Sequence, residues 1–262
     1  MIKLPDVTLC AIDHAAHDLT RLALERCLRD VEFADVVVLS DKNILPNAFW
    51  HATNATDTLE ACLLLWYVLP RYVKTSHYLY IQWDSWVINP AAWTDLFLQY
   101  DYIGAPWPEG VQAKLPIGCD ASLNVGNGGF SLRSKRLAEE VIKHDLKFDV
   151  LEDRALCVYY RHELEGYGLK WPARELAHRF SAEAYWPKGH VPFGFHAAYN
   201  FPCALTPAEF EDVLHAATPY AYEQHGMVQL RNHLAAFRDG QPLPDWYGPI
   251  KDGWLPCRQY GT

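Results

Sequence analysis

Several carboxylates in this sequence fall where they could do chemistry. Glu152-Asp153 is an acidic pair at or near the first turn of a predicted helix. Such a pair can take a proton from a hydroxyl, or can simply favour the positive end of the helix. Asp84 closes the string Gln82-Trp83-Asp84 after a predicted strand, and Asp13 and Asp41 end two earlier ones. A carboxylate at a strand end offers the oxygen that Mg²⁺ or Mn²⁺ prefers, or merely forms a turn. His196, taken by itself, reads as a core histidine satisfied by a backbone carbonyl. Gly126-Asn127-Gly128-Gly129 precedes a strand and lacks the Gly-Lys-Ser/Thr ending of a phosphate loop. Its glycines permit left-handed backbone and close approach to a ligand, or a plain hairpin turn.

These residues need a scaffold, and the first half reads as alternating strands and helices. Val7 to Ile12 is a buried-strand pattern ending at Asp13. Leu24, Leu28 and Val31 then share a helical face, and Asp35 to Leu39 gives a second strand. Thr58 to Tyr72 is predicted as one helix with Leu59, Leu63, Tyr67 and Val68 on its packed side. Tyr78 to Trp83 is the third strand. A β-α-β-α-β order implies right-handed crossovers and a parallel sheet, whose ligands bind at the carboxyl ends of the strands.

Beyond Tyr100 the chain is rich in Gly, Pro and Asn, with short strands expected at Tyr102-Ile103-Gly104 and Gly129 to Leu132. Helices follow at Lys135 to His144, from about Leu151, near Pro207 to Ala216 and near Gln224 to Phe237. The expected class is α/β: a single domain over 1–262 with a mostly parallel, Rossmann-like sheet flanked by helices and a mixed C-terminal part. Its nucleotide-binding half would span about 1–110 and its catalytic half about 111–262.

Composition narrows the partners. The net charge of −9, from 32 acidic and 23 basic residues, argues against nucleic acid. It leaves room for a nucleotide whose diphosphate is neutralised by a metal ion. Ten Trp and 15 Tyr suit a site that grips flat rings, or a large core. Seven Cys with no C-x-x-C pair point away from a zinc ribbon or disulfide framework, and toward a cytoplasmic setting. No signal peptide or transmembrane run is visible, so any membrane contact would be peripheral.

Three segments taken in order, Ile81 to Val87, Tyr102 to Trp107 and Val125 to Ser134, resemble a GT-A-type glycosyltransferase family. Its members were long filed as a domain of unknown function in bacteria and fungi. Leu151-Glu152-Asp153 and Phe193-Gly194-Phe195-His196 are similar to it as well, and the likeness runs from about Leu4 to Asn200. Related enzymes share an Asp-x-Asp metal motif, a Gly-Gly-Phe strand, an acidic pair and a late His.

The resemblance implies transfer of a sugar from a nucleotide diphosphate, a UDP-sugar by preference, to a glycan or other acceptor hydroxyl. It makes Asp153 the base and gives Glu152 a hydrogen bond to acceptor or donor sugar. Asp84 and His196 would hold Mn²⁺ or Mg²⁺. Asp13, Asp41, Gln82, Trp83, Asp84, Asn127, Gly128 and Gly129 would bind the sugar nucleotide, with Thr8 and Lys42 assisting at the ribose. Trp86 and Trp107 would wall the sugar or pack the core, and Lys74 would meet phosphate or solvent. The chain departs from the scheme at Gln82, an amide where relatives carry the first Asp, which puts metal dependence in question.

Two other readings stand beside an inverting transferase. An inactive GT-A domain kept as a sugar- or partner-binding module fits the Gln82 departure. A hydrolase using paired carboxylates would need no nucleotide edge. Assembly of a surface polysaccharide is the setting suggested by analogy.

Overall fold

A computed structural model describes residues 1–107, 125–148, 150–183 and 190–206, with isolated positions between 209 and 217; residues 199, 202 and 203 are described by backbone alone. The helix expected near Gln224 to Phe237 and the tail tryptophans lie outside the described residues. So does most of the helix expected at Pro207 to Ala216, where the described positions 209, 212–213 and 216–217 are helical.

The first strand, β1 (Ile2–Asp13), is longer than the apolar run predicts and forms the middle of the sheet. Val7, Leu9, Cys10 and Ala11 are fully buried because both faces are covered. Leu9 and Ala11 pack with Ala23, Leu24 and Cys27 of α1 (His17–Asp30) on one side. Cys10 and Ile12 meet Leu65, Leu69 and Tyr80 on the other. This two-faced burial is what an unbroken apolar run encodes. Val31, expected on the helix face, instead opens β2 (Val31–Ser40), because α1 ends at Asp30 and Val31 takes extended backbone opposite Ile2 of β1.

A strand that sequence patterning misses, β3 (Phe49–Ala52), pairs in parallel with β2 at the sheet edge. The predicted helix from Thr58 to Tyr72 is broken into three pieces. Its α-helical part, α2 (Thr58–Leu63), gives way to a π turn at Leu64–Val68 and a 3₁₀ turn at Leu69–Arg71. Pro70 has no N–H to donate and crowds the turn before it, so regular α geometry cannot continue. The packed face differs accordingly. Leu59 and Leu63 are exposed, while Cys62, Leu65, Trp66 and Leu69 are buried.

The remaining elements are β4 (His77–Ile81), β5 (Trp86–Val87), β6 (Tyr102–Ile103) and β7 (Phe130–Ser134), then α3 (Lys135–Lys143) and the short α4 (Glu152–Arg154). They are followed by α5 (Arg161–Gly166), α6 (Arg174–Phe180), β8 (Ser181–Ala182), β9 (Gly194–Phe195) and α7 (Phe201–Ala204).

The main sheet has the order β3-β2-β1-β4-β7-β6. Strands β3, β2, β1 and β4 are parallel, and β7 runs antiparallel to both β4 and β6. The chain is thus a mixed α/β fold with a largely parallel central sheet flanked by helices. A small second sheet, β5-β9-β8, is the mixed C-terminal element. It joins residues from the middle and the end of the chain, and its ends carry part of the site. Among the described residues no helix is long and apolar enough to cross a membrane.

Candidate active site

A cavity of about 420 Å³ opens where β4 meets β7 and α4. Gln82, Asn127, Gly128, Gly129, Glu152, Asp153 and His196 all line it, so residues 114 positions apart in sequence share one chamber. Its other wall is Thr58, Ala61, Cys62 and Leu65, with Tyr80 and Glu183 completing the lining.

The Gln82–Ser85 corner begins where β4 ends. Gln82 N–H donates to Gly129 O at 3.0 Å, and Ser85 Oγ donates to the same carbonyl at 2.8 Å. This pins the corner to the loop before β7. Directly after it, β5 pairs antiparallel with β9, Trp86 opposite Phe195, which brings Asp84 and His196 close together. His196 Nε2 lies 3.4 Å from Asp84 Oδ1 and 3.2 Å from Gln82 Oε1. Asp84 is 2% exposed and stands behind the cavity lining, and its Oδ1 is buried with no hydrogen-bond partner. Burial alone would lower the His196 pKa, but the charges of Asp84 and Glu183 outweigh it and raise it to about 10.

This corner suits a hard divalent cation. Its donors are a carboxylate oxygen, an amide oxygen and an imidazole nitrogen. Ligands about 2.1 Å from an octahedral ion lie roughly 3 Å apart, close to the separations around Nε2. Asp84 Oδ1, whose nearest cationic neighbour is the imidazole at 3.4 Å, is the atom such an ion would bind. A cation would take the place of the imidazole proton, as metal binding to histidine requires.

Glu152 and Asp153 begin α4, as their acidity at a helix start predicts. They live in different surroundings. Glu152 is buried, accepting from Arg133 Nη2 at 2.7 Å through Oε1 and from Cys62 Sγ at 3.5 Å through Oε2. Arg133 is fully buried and lies against the rings of Trp66, Tyr80 and Tyr102, 5.1–5.6 Å from their centroids. Burial and the Glu152 charge push the Cys62 thiol up to about 12, so it stays a donor. Glu152 is therefore engaged by protein partners, which the expected sugar-binding role did not include. Asp153 accepts from Arg154 N–H at 2.7 Å and is partly open to the cavity. Burial, and then the neighbouring Glu152 charge, raise its pKa to about 7.

The glycines serve packing here. Among described residues the left-handed glycine is Gly168, so none of Gly126, Gly128 and Gly129 uses the left-handed freedom expected of them. A Cβ on Gly128 would lie 2.2 Å from Glu152 Oε1, and one on Gly129 would lie 2.1 Å from His196 Nε2. Asn127 turns its side-chain oxygen onto Gly129 N–H at 3.1 Å, which stiffens the loop beside the cavity.

Other expected residues fall elsewhere. Asp13 does not line the cavity: its Oδ1 accepts from Ala15 and Ala16 N–H, forming the turn into α1. Asp41, at the carboxyl edge of β2, pairs with His17 at 2.6 Å, and that hydrogen bond holds its carboxyl below the usual range. Trp83 lies edge-on to Phe201, outside the lining. Thr8 is buried inside β1 against Thr75, five residues short of the strand end, too deep for a ribose. Trp86 stacks with Phe201 in the core, and Trp107 packs over Gly126. Lys74 is solvated and lies 3.7 Å from Asp35.

Sequence reasoning misses Arg133 and Glu183. Arg133 leaves a signal, a cation next to Leu132 in an expected strand, a residue type rarely buried unless paired. Glu183 leaves none, since it lies in no recognisable pattern.

No curated protein matches the chain. Similar solved structures include the galactosyltransferase LgtC in complex with donor and acceptor sugar analogs, 14% identical with a TM-score of 0.45, covering 80% of this chain and 95% of that one. A glycosyltransferase involved in glycosylation of the major capsid of PBCV-1 is 12% identical with a TM-score of 0.43, over 80% of this chain and 98% of that one. CMP:2-keto-3-deoxy-manno-octonic acid synthetase complexed with CTP is 10% identical with a TM-score of 0.37, over 63% and 87%. The profile of one family, described as "Protein of unknown function (DUF5672)", matches residues 48–196, a stretch that holds Gln82, Asp84, Glu152, Asp153 and His196, and the chain belongs to that family.

Proposed function

We propose that the chain is a GT-A-type glycosyltransferase that moves a sugar from a nucleotide diphosphate to an acceptor hydroxyl, with inversion. The observation that carries this reading is one cavity lined by both a proton acceptor and oxygen and nitrogen donors. Asp153, with a raised proton affinity, shares that lining with Gln82 and His196, and Asp84 stands behind them within 3.4 Å of His196.

A base with a pKa near 7 is matched to a hydroxyl at neutral pH. In the transfer, the acceptor O–H gives its proton to an Asp153 oxygen while the acceptor oxygen bonds to the anomeric carbon. The bond from that carbon to the diphosphate oxygen breaks, and its electron pair leaves with the nucleoside diphosphate. A bound Mn²⁺ or Mg²⁺ would supply charge neutralisation for that leaving group. Gln82 contributes a neutral oxygen where relatives have an Asp, so the donor set carries one negative charge fewer. Arg133 and Cys62 occupy both oxygens of Glu152, which leaves Asp153 as the cavity carboxylate available to an acceptor. The edge near Asp41 and His17 would take the nucleoside, with the sugar against Ala61, Cys62 and Leu65.

Thermal shift with UDP, GDP, CDP and ADP, each with and without Mn²⁺, tests the reading. A ligand at about a hundred times its dissociation constant adds roughly 2.7 kcal/mol. A Mn²⁺-dependent rise with one nucleotide, lost in Asp84→Ala, is expected. No rise with any nucleotide would favour a binding module without transferase activity, the reading that Gln82 recommends.

A further inference from the structure

We propose that Glu183 is a positioning residue for the cation corner, fixing the His196 ring so that Nε2 presents its lone pair toward Asp84 and Gln82. This rests on the cation reading of that corner. Glu183 Oε1 lies 3.2 Å from His196 Nδ1, while Nε2 faces Asp84 Oδ1 and Gln82 Oε1. The two nitrogens of one ring thus look in opposite directions, one to a carboxylate and one to the donor corner.

The pairing is built by the chain's own register. In the parallel pair β8–β9, Ala182 is opposite Phe195, so Glu183 and His196 are the next residues off the same ends. His196 N–H donates to Ala182 O at 2.9 Å, extending the ladder by one step. Asn200, 3% exposed, then donates its side-chain amide to Glu183 O at 2.9 Å and to His196 O at 2.6 Å. One buried amide therefore clamps both carbonyls and sets the spacing of the side chains above them. On its other side the ring lies against Gly129, where a Cβ would be 2.1 Å from Nε2.

Imidazole binds a cation only through an unprotonated nitrogen, so the remaining ring proton must sit on the far one. A carboxylate accepting that proton fixes the tautomer and makes the ligating nitrogen more basic. Glu183 has the position this requires, and its side chain is 18% exposed, so solvent screens it little.

Mn²⁺ alone, titrated calorimetrically into the full chain, tests the assignment. His196→Ala should abolish uptake, and Glu183→Ala should weaken it roughly 10- to 100-fold. Glu183→Gln should lose less, because its amide oxygen still accepts the Nδ1 proton. In the Mg²⁺-loaded chain His196 Nδ1 should carry the ring proton, and its ¹⁵N resonance should shift when Glu183→Ala removes its acceptor. Matching melting curves separate these effects from misfolding. Parental Mn²⁺ affinity in Glu183→Ala, with uptake lost in His196→Ala, would overturn the proposal. Absence of uptake by the parent would overturn the cation reading and this role with it, while nucleotide-induced stabilisation still decides the transferase reading by itself.

Discussion

Arg133 Nη2 meets Glu152 Oε1 at 2.7 Å directly beside the backbone of Gly128, whose carbonyl also accepts from Arg133 at 3.3 Å. A Cβ on Gly128 would press on the carboxylate from the side, 2.2 Å from Glu152 Oε1 and 3.3 Å from Arg133 Nη2. The glycine thus makes room for a buried ion pair that engages Glu152 and leaves Asp153 without a cationic partner of its own among the described residues.

Removing one partner of that pair should be severe. Arg133→Met leaves Glu152 buried without its cation, a loss of about 3–5 kcal/mol. Adding Glu152→Gln to it should recover a large part, since the stranded charge is gone. Urea unfolding of the two single variants and the double variant measures the coupling. A single-variant loss below about 1 kcal/mol would mean that Glu152 escapes to solvent.

Asp153→Asn should abolish transfer and yet stabilise the chain at alkaline pH. The folded Asp153 keeps its proton up to about pH 7, whereas the unfolded chain releases it near an ordinary carboxylate value. The folded state therefore binds the extra proton between about pH 4 and 7, and stability falls as pH rises across that window. The variant should match its parent at pH 4 and exceed it by about 1–3 kcal/mol at pH 8, read from denaturant melts. Equal stability at both pH values would remove the strained carboxylate.

The same group sets the pH profile of the reaction. With Asp153 as base, kcat/KM should climb tenfold per pH unit below about 7 and level off above it. A profile flat from pH 5.5 to 8 would assign the proton to another acceptor.

Gly129→Ala should separate the fold from the cation corner. Its new methyl would meet the His196 ring, which must move away from Asp84 and Gln82. The expected result is a folded protein, weakened by about 1–3 kcal/mol, whose nucleotide stabilisation no longer responds to Mn²⁺. An undiminished Mn²⁺ response would show that the ring has slack.

Much of this arrangement is legible in the amino-acid sequence, but unevenly. Apolar runs at Val7 to Ile12 and Tyr78 to Ile81 mark the central strands, because burial on both faces leaves a run with no alternation. The strand-end rule and the motif series point to Gln82, Asp84, Asn127, Glu152, Asp153 and His196, and the fold gathers them. The edge strand Phe49–Ala52 is hidden because it has only four residues, with no polar–apolar alternation and with Phe49 and Trp50 exposed. The packed side of α2 is misread because Leu59 and Leu63 are as regularly spaced as Cys62 and Trp66, and periodicity cannot rank two faces. Glu183 is invisible for a different reason. Its importance comes from a β8–β9 register that forms between segments 12 residues apart, and nothing local announces it.

The π turn at Leu64–Val68 carries one residue more per turn than an α-helix, and it separates two jobs within a single helical stretch. Upstream, Thr58, Ala61 and Cys62 face the cavity, while Trp66 and Leu69 anchor to the core. Loss of one residue there would rotate the upstream turn by about 100° and present Leu59 or Leu63 to the cavity instead, with the sheet untouched. Single-residue insertions and deletions at this joint are a route by which lineages could recarve the chamber wall without rebuilding the scaffold.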